Sequence, residues 1–386
     1  MINYISAGKI RATSALGISA LPVFLYGFWF YSLLPLVICA IATRLTINLK
    51  ILFICAGASL IVLISNLIAF PDVAYYSETA VQATSDIYMR YAPTRENHLS
   101  NVVTIGFGLA VILPIFITIG YVIDRSILKN FAYFLCVITF VQVLANFLFG
   151  INLDFSIGVE QSRSAYYEFF RPTALYFEPK DLAQILFVLS ALVLSDARDH
   201  RFTLVIFLAI FLTGSLAGLI YILILTILFY RFSILKIFFT PSSLIFSPFI
   251  LVTVASTFYP LLLARFQTGL DASFAYKLTS VFRWLEFPIE RKVFGAGLGY
   301  NDCLCLGSDL SFIWTLLFQG GVFAAVILGL VFSMVAKNKA QTFLVLGLLM
   351  LPLGSMSSWA LVGVFLGAQR RIARLPTAYL TSKIGL

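Results

Sequence analysis

The sequence predicts an all-α, polytopic membrane protein with about 12 transmembrane helices and short helices in its extracytoplasmic loops. Hydrophobic residues make up 61% of the chain and charged residues only 11%, against about 25% in a soluble domain. The charged residues are absent from long stretches and gather in the gaps between them. We therefore expect residues 1–386 to form a single integral membrane domain.

The predicted spans follow the apolar runs along the chain. A bilayer core of about 30 Å requires about 20 apolar residues in a helix. Five runs meet this requirement, and they are 50–70, 101–123, 131–150, 243–262 and 311–336.

Three longer runs are each interpreted as a helical hairpin, because each exceeds one span. The first run, 12–43, is interrupted by Pro22 and Pro35 and is expected to turn near Tyr31. The second run, 202–230, is expected to turn at Thr213-Gly214-Ser215. The third run, 340–369, is expected to turn near 354–358. A shorter run at 182–195 completes the predicted set.

The distribution of basic residues predicts the orientation. With both termini in the cytoplasm, 16 of the 26 Lys and Arg residues fall almost entirely in short cytoplasmic loops. The other ten lie in three long loops, 71–100, 151–181 and 263–310, which we expect to be extracytoplasmic. The charged start lacks a small-residue cleavage site, so the first span is expected to act as a signal anchor.

Several classes of function are disfavoured by the same residues. The basic residues that give the net charge of +9 form no continuous stripe, so nucleic acid is not an expected partner. The two histidines, His98 and His200, are assigned to opposite membrane faces, and Cys303 and Cys305 are too close for an easy disulfide. We expect neither a metal nor a cofactor.

Polar chemistry concentrates first in the segment 171–181, where an extracytoplasmic loop enters a span. Arg171 and Glu178 flank an aromatic approach to the membrane, and Pro179 suits the first turn of a helix. Glu178 either caps and anchors this helix or contacts a ligand together with Arg171. Lys180 and Asp181 more readily fit the anchoring interpretation.

The third extracytoplasmic loop contributes more arginines. Apolar residues at helical spacing predict an amphipathic helix over 274–285 that ends before Pro288. Arg265 and Arg283, with Lys277, either extend along the membrane interface or converge as a clamp for phosphate oxygens.

The end of this loop holds a glycine motif and an acid. Gly295-Ala296-Gly297-Leu298-Gly299 lacks the preceding strand of a dinucleotide site, so it predicts a close-packed return of the chain. Asp309, within Ser308-Asp309-Leu310-Ser311, is either the N-cap of the next span or a carboxylate facing a pocket, and both roles can coexist.

Together these segments resemble the O-antigen polymerases of the Wzy type, within the group that includes O-antigen ligases and other lipid-linked sugar transferases. The resemblance covers roughly residues 165–330 and depends on the order of its parts. Those parts are Arg171 with Phe177-Glu178-Pro179, Thr213-Gly214-Ser215-Leu216-Ala217-Gly218, the late arginines, Gly295-x-Gly-x-Gly, and Ser308-Asp309-Leu310-Ser311 before Gly320-Gly321.

The resemblance implies a GT-C-like fold and a glycosyltransferase active site on the periplasmic face of the bacterial inner membrane. A growing glycan on polyprenyl diphosphate would be transferred to a repeat unit on a second carrier. Asp309 is the leading base candidate and Glu178 the competing one, while Arg265, Arg283 and Arg171 would bind the diphosphate. Membrane lipids and a chain-length regulator protein are the further partners that this activity admits.

Two departures from the family pattern keep alternatives open. Lys180 stands where the family commonly has Ser, and Asp309 stands where the related ligases place a histidine, which favours polymerase over ligase. A ligase acting on lipid A core remains one alternative. A flippase or other transporter is the second, although transporters usually place ionisable residues or broken helices near the bilayer midplane.

Overall fold

The computed structural model describes residues 18–25, 38, 47–68, 102–157, 170–194, 199–238, 284–285, 287–295, 297, 311–336, 338–351, 353 and 355–372. Every regular element within these ranges is helical, and they contain no strand, which confirms the predicted all-α class at this level. A short 3-10 turn, Leu21–Phe24, begins at the expected interruption around Pro22.

Ten helices of six residues or more follow in the described ranges. They are α1 Leu49–Ile68, α2 Val102–Tyr121, α3 Arg125–Phe149, α4 Pro179–Leu194, α5 His200–Leu212, α6 Leu216–Phe238, α7 Ile289–Phe294, α8 Phe312–Val335, α9 Lys339–Leu348 and α10 Met356–Ile372. In α2 a π-helical turn, Gly108–Ile112, precedes the α-helical part.

Three of the described helices, α2, α3 and α8, are long and apolar enough to cross a membrane. The predicted spans at 50–70, 101–123, 131–150 and 311–336 each coincide with a helix, although α3 begins six residues earlier than expected. The predicted span 243–262 lies outside the described residues, as does the turn near Tyr31.

The helix ends follow local capping rules. Asp124, Asp199 and Asn338 precede α3, α5 and α9, and each accepts a hydrogen bond from a backbone N–H in the first turn. Gly150 ends α3 in the left-handed conformation, with φ 64°. The Asp124 cap explains why α3 starts at Arg125, before the apolar run begins.

Both hairpins in the described ranges turn close to where the sequence predicts. α5 ends at Leu212 and α6 starts at Leu216, so Thr213-Gly214-Ser215 is the turn. α9 ends at Leu348 and α10 starts at Met356, so the second connection is 349–355, slightly earlier than the predicted 354–358.

Two helices form the centre of the bundle, because they are buried on every side. Nearly every described side chain of α4 and α10 is buried. Gly120, Gly363 and Gly367 let the backbones of α2 and α10 approach closely, since a Cβ on Gly363 would lie 2.7 Å from the Cβ of Phe116. An all-round apolar surface of this kind is typical of a helix enclosed by other helices.

Candidate active site

The segment 171–178 is fixed to the bundle by buried hydrogen bonds. Arg171 is only 3% exposed, and its Nε donates to the carbonyl oxygen of Thr213 over 2.9 Å. Thr213 is the C-cap of α5, so the guanidinium meets one of the carbonyls at the negative end of that helix. Two segments that carry the family resemblance, 42 residues apart, are thereby in contact.

Gln142 of α3 holds the next turn of this segment. Its Oε1 accepts from the backbone N–H of Thr173 at 3.2 Å and of Ala174 at 2.8 Å, and its Nε2 donates to the carbonyl oxygen of Leu153. Ala174 has φ 48°, an uncommon conformation for a residue with a Cβ. The side chain of Gln142 is fully buried, so it stabilises a turn that the local sequence alone does not favour. Sequence reasoning missed this residue.

Tyr176 anchors the same segment to the first described turn of the chain. Its hydroxyl donates to the carbonyl oxygen of Phe24 at 3.0 Å. Burial, with a further contribution from the charge of Asp181, raises the pKa of Tyr176 well above its ordinary value. The phenol therefore remains a hydrogen-bond donor at any physiological pH.

Glu178 lies at the entrance to α4, next to the predicted ligand-binding face. Its Oε2 forms an ion pair with Lys180 Nζ at 2.9 Å, and its side chain is 14% exposed. Its carbonyl oxygen accepts from the N–H groups of Asp181 and Leu182, so its backbone also starts the helix. Lys180, where the sequence departs from the pattern it resembles, is thus a direct partner of the competing base candidate.

The remaining predicted site residues are not described. Asp309, Arg265 and Arg283 lie outside the described residues, as do Lys277 and most of the predicted helix 274–285. The N-cap of α8 is Ser311, whose hydroxyl accepts from the N–H of Trp314 at 3.4 Å. The N-cap alternative for Asp309 is therefore wrong, because Ser311 occupies that position two residues later.

The glycine motif packs against a break inside α8. Gly295 has φ 84° and Gly321 has φ 69°, and Gly321 interrupts the helical conformation of α8. A Cβ on Gly295 would lie 2.5 Å from the backbone nitrogen of Gly321. Gly297 donates its N–H to the carbonyl oxygen of Gln319 at 3.0 Å. The predicted close-packed return of the chain is observed, but the break in α8 was not predicted.

A short helix, α7, leads into this contact and was also missed. It follows Pro288 and carries Glu290, Arg291 and Lys292, of which Glu290 is exposed. Pro288 at its N-cap was an available signal for a new helix start. Phe294 of α7 packs against Phe323 of α8, with ring centroids 6.0 Å apart.

A separate ion pair joins α3 to the start of α5. Lys129 Nζ lies 2.6 Å from Asp199 Oδ2 and 5.7 Å from the centre of the Tyr133 ring. The hydrogen bond from Lys129, followed by that from the N–H of Phe202, lowers the pKa of Asp199 below its ordinary value. This pair lies on the face predicted to be cytoplasmic.

Within the described part of the chain, no three His, Cys, Asp or Glu side chains lie together as a metal site would require. No protein-family model, curated protein or solved structure matches the chain.

Proposed function

We propose that this protein is a membrane glycosyltransferase that polymerises lipid-linked oligosaccharide repeat units, as the O-antigen polymerases do. The observation that carries the proposal is the hydrogen bond from Arg171 to Thr213. It joins the first two segments of the resemblance, which are far apart in sequence. A shared, buried contact supports the view that these segments serve one site.

A second contact of the same kind supports the proposal. The glycine motif at 295–297 meets Gln319 and Gly321, so the last two segments of the resemblance also pack together. Each of the two pairings connects a loop predicted to be extracytoplasmic with a helix end or a helix break. This is the arrangement that a site at one membrane face requires.

The proposed reaction transfers a glycan between two lipid carriers. A hydroxyl of the acceptor repeat unit attacks the anomeric carbon of the donor glycan and forms the new glycosidic C–O bond. The bond from that carbon to polyprenyl diphosphate breaks, and the diphosphate leaves with the electron pair. A base accepts the hydroxyl proton, and cationic side chains stabilise the departing charge.

We assign the roles as the resemblance implies them. Asp309 is the leading base, and Glu178 is the competing one. Arg265 and Arg283 bind the diphosphate, with Arg171 as a third contact. The ion pair with Lys180 supports a secondary role for Glu178, because it engages one of the two carboxylate oxygens within the protein.

The wider arrangement belongs to the same proposal. The chain would have about 12 spans in a GT-C-like fold, with both termini in the cytoplasm of a bacterium. The site would face the periplasm from the inner membrane. Three described helices are long and apolar enough to cross a membrane, which supports the membrane location in this proposal.

A transporter is the second candidate, and one observation favours it. Gly321 breaks a helix that is long enough to span a membrane, and discontinuous spans often line transport sites. Purified protein should extend lipid-linked repeat units without any ion gradient if it is a polymerase. No extension under these conditions, with gradient-driven movement of the same lipid across vesicles, would establish the transporter instead.

The glycan profile of a deletion strain provides the complementary test. Loss of a polymerase leaves single repeat units on lipid A core, whereas loss of a ligase leaves core without any repeat. Restoring the gene with Arg265→Ala or Arg283→Ala should reproduce the deletion profile while the protein remains in the membrane. Normal glycan length in both variants would refute the diphosphate clamp.

A further inference from the structure

Four aromatic side chains meet where the third loop predicted to be extracytoplasmic, 263–310, returns to α8. Trp284 and Trp314 have ring centroids 5.9 Å apart, and Trp314 lies 6.1 Å from Phe318. Phe287 packs edge-on against Phe318 at 5.7 Å. The contacts pair successive residues of the loop with successive residues of α8, so the loop runs beside the helix in the same direction.

The two tryptophans carry donors that nothing in the described part of the chain satisfies. Among the described residues, Trp284 Nε1 and Trp314 Nε1 are both inaccessible to solvent and have no hydrogen-bond acceptor. Buried indole N–H groups usually find a partner, and leaving one unpaired costs free energy. Two such donors side by side therefore indicate a ligand that supplies the acceptors.

Trp359 shows what the same bundle does with a structural tryptophan. This residue is fully buried between α2 and α8, and its Nε1 donates to the carbonyl oxygen of Leu353 at 2.8 Å. Trp284 and Trp314 differ because their rings are only partly buried while their nitrogens are covered. Donation to a molecule that stacks on the exposed part of either ring therefore requires that ring to rotate.

We propose that Trp284 and Trp314, supported by Phe287 and Phe318, form a saccharide-binding subsite. A sugar ring offers an apolar C–H face that stacks on an aromatic ring and hydroxyl oxygens that accept from an indole N–H. An acyl chain offers no acceptor, and a phosphate is better matched by guanidinium groups. The subsite therefore binds the glycan of the substrate, not its lipid or its diphosphate.

The position of the pair in the sequence agrees with this assignment. Trp284 directly follows Arg283, and Trp314 closely follows Asp309 and the Ser311 cap. The inference rests on the proposed function for the identity of the sugar-bearing substrate. It adds which residues recognise the sugar.

The test compares three single substitutions that each remove an indole N–H and keep an aromatic ring. Trp284→Phe and Trp314→Phe change the subsite, and Trp359→Phe is the matched control. Removing an unpaired donor should raise Tm in detergent, whereas Trp359→Phe should lower it, each by about 1–3 °C. Monodisperse elution of every variant shows that each one folds.

Binding is measured on an array of defined bacterial oligosaccharides with the detergent-solubilised full-length protein. Each subsite variant should bind its saccharide about threefold to tenfold more weakly than wild type, and Trp359→Phe should match wild type. Unchanged binding in both Trp284→Phe and Trp314→Phe overturns the subsite. A wild-type protein that binds phospholipid vesicles through these tryptophans but no saccharide also overturns it, because the pair would then be a membrane anchor.

The transfer assay separates this inference from the proposed function. Extension of lipid-linked repeat units with an unchanged KM in both subsite variants refutes the subsite and leaves the polymerase standing. Saccharide binding that depends on both tryptophans, without any extension by the wild-type protein, supports the subsite and refutes the polymerase.

Discussion

The contact between Gly295 and the break in α8 can be tested by adding a single methyl group. Gly295 has φ 84° and ψ 177°, a backbone region that is essentially restricted to glycine. Gly295→Ala would place a Cβ 2.5 Å from the nitrogen of Gly321 and closer still to the carbonyl oxygen of Gln319. Both neighbours are backbone atoms, so neither can move aside by changing rotamer.

The magnitude combines two costs of different origin. Holding alanine in this conformation costs about 1–3 kcal/mol, and overpacking against backbone costs about 1–3 kcal/mol. The total destabilisation of about 2–6 kcal/mol exceeds the free energy that a single contact of the loop contributes to stability. We therefore expect the end of the loop, including α7, to detach from α8.

Two other glycines provide matched controls, because Gly150 carries only the conformational cost and Gly57 carries neither cost. Gly150 has φ 64° but nothing within 4 Å of an added Cβ, so Gly150→Ala should cost only the conformational part, about 1–2 kcal/mol. Gly57 lies in α1 with open space around it, so Gly57→Ala should gain about 0.5–1 kcal/mol.

The assay must report local detachment as well as global unfolding. Tm in detergent orders the three variants, and limited trypsin digestion reports the loop directly, because α7 contains Arg291 and Lys292. Cleavage after these residues should accelerate only in Gly295→Ala. Cleavage and Tm equal to those of Gly150→Ala would show that the close contact does not hold the loop.

Three further predictions concern the hydrogen bonds around the site. Arg171→Ala should lower Tm, because it leaves the Thr213 carbonyl unpaired at a cost of about 1–3 kcal/mol. It should also shorten the glycan chains of a complemented deletion strain, because Arg171 is a proposed diphosphate contact. Glycan chains of normal length would contradict a role for Arg171 in the site. Gln142→Leu should destabilise the protein by about 2–4 kcal/mol in a denaturant titration, because two buried backbone N–H groups lose their acceptor. A loss below about 1 kcal/mol would refute this. Because the pKa of Asp199 is lowered in the folded protein, its ion pair contributes stability above about pH 4, and this contribution is lost as the pH falls through the folded pKa. Lys129→Met should therefore reduce the decrease of Tm with falling pH. An unchanged pH profile of Tm would exclude this ion pair as the source of the acid dependence.

The sequence could predict features that depend on local patterns. The turn at Thr213-Gly214-Ser215 interrupts an apolar run too long for one span, and Asp124 and Asp199 precede helices as capping rules expect. The twelve spans, by contrast, remain a prediction, since three described helices meet the length and hydropathy requirement. The all-α class could be predicted from composition. The number of membrane spans could not, because it depends on how the short apolar runs pack in the fold.

The parts that sequence reasoning missed depend on tertiary partners. Gln142 lies in the middle of an apolar helix, and only the fold shows that it satisfies the turn at Thr173 and Ala174. The break at Gly321 lies inside a continuous apolar run, where Gly-Gly alone is common in membrane helices. The break is packed against the backbone of Gly295, which arrives from the preceding loop.

The break in α8 also bears on the choice between an enzyme and a transporter. In transporters with broken spans, the freed backbone groups coordinate the cargo and the flanking half-helices move. Here the carbonyl of Gln319, which an unbroken helix would pair internally, accepts from Gly297 instead. Moving the loop away from α8 would break this buried hydrogen bond, which contributes about 0.5–1.5 kcal/mol. A break whose backbone is already occupied by the protein is better suited to holding a preorganised site than to alternating access, and this favours the transferase.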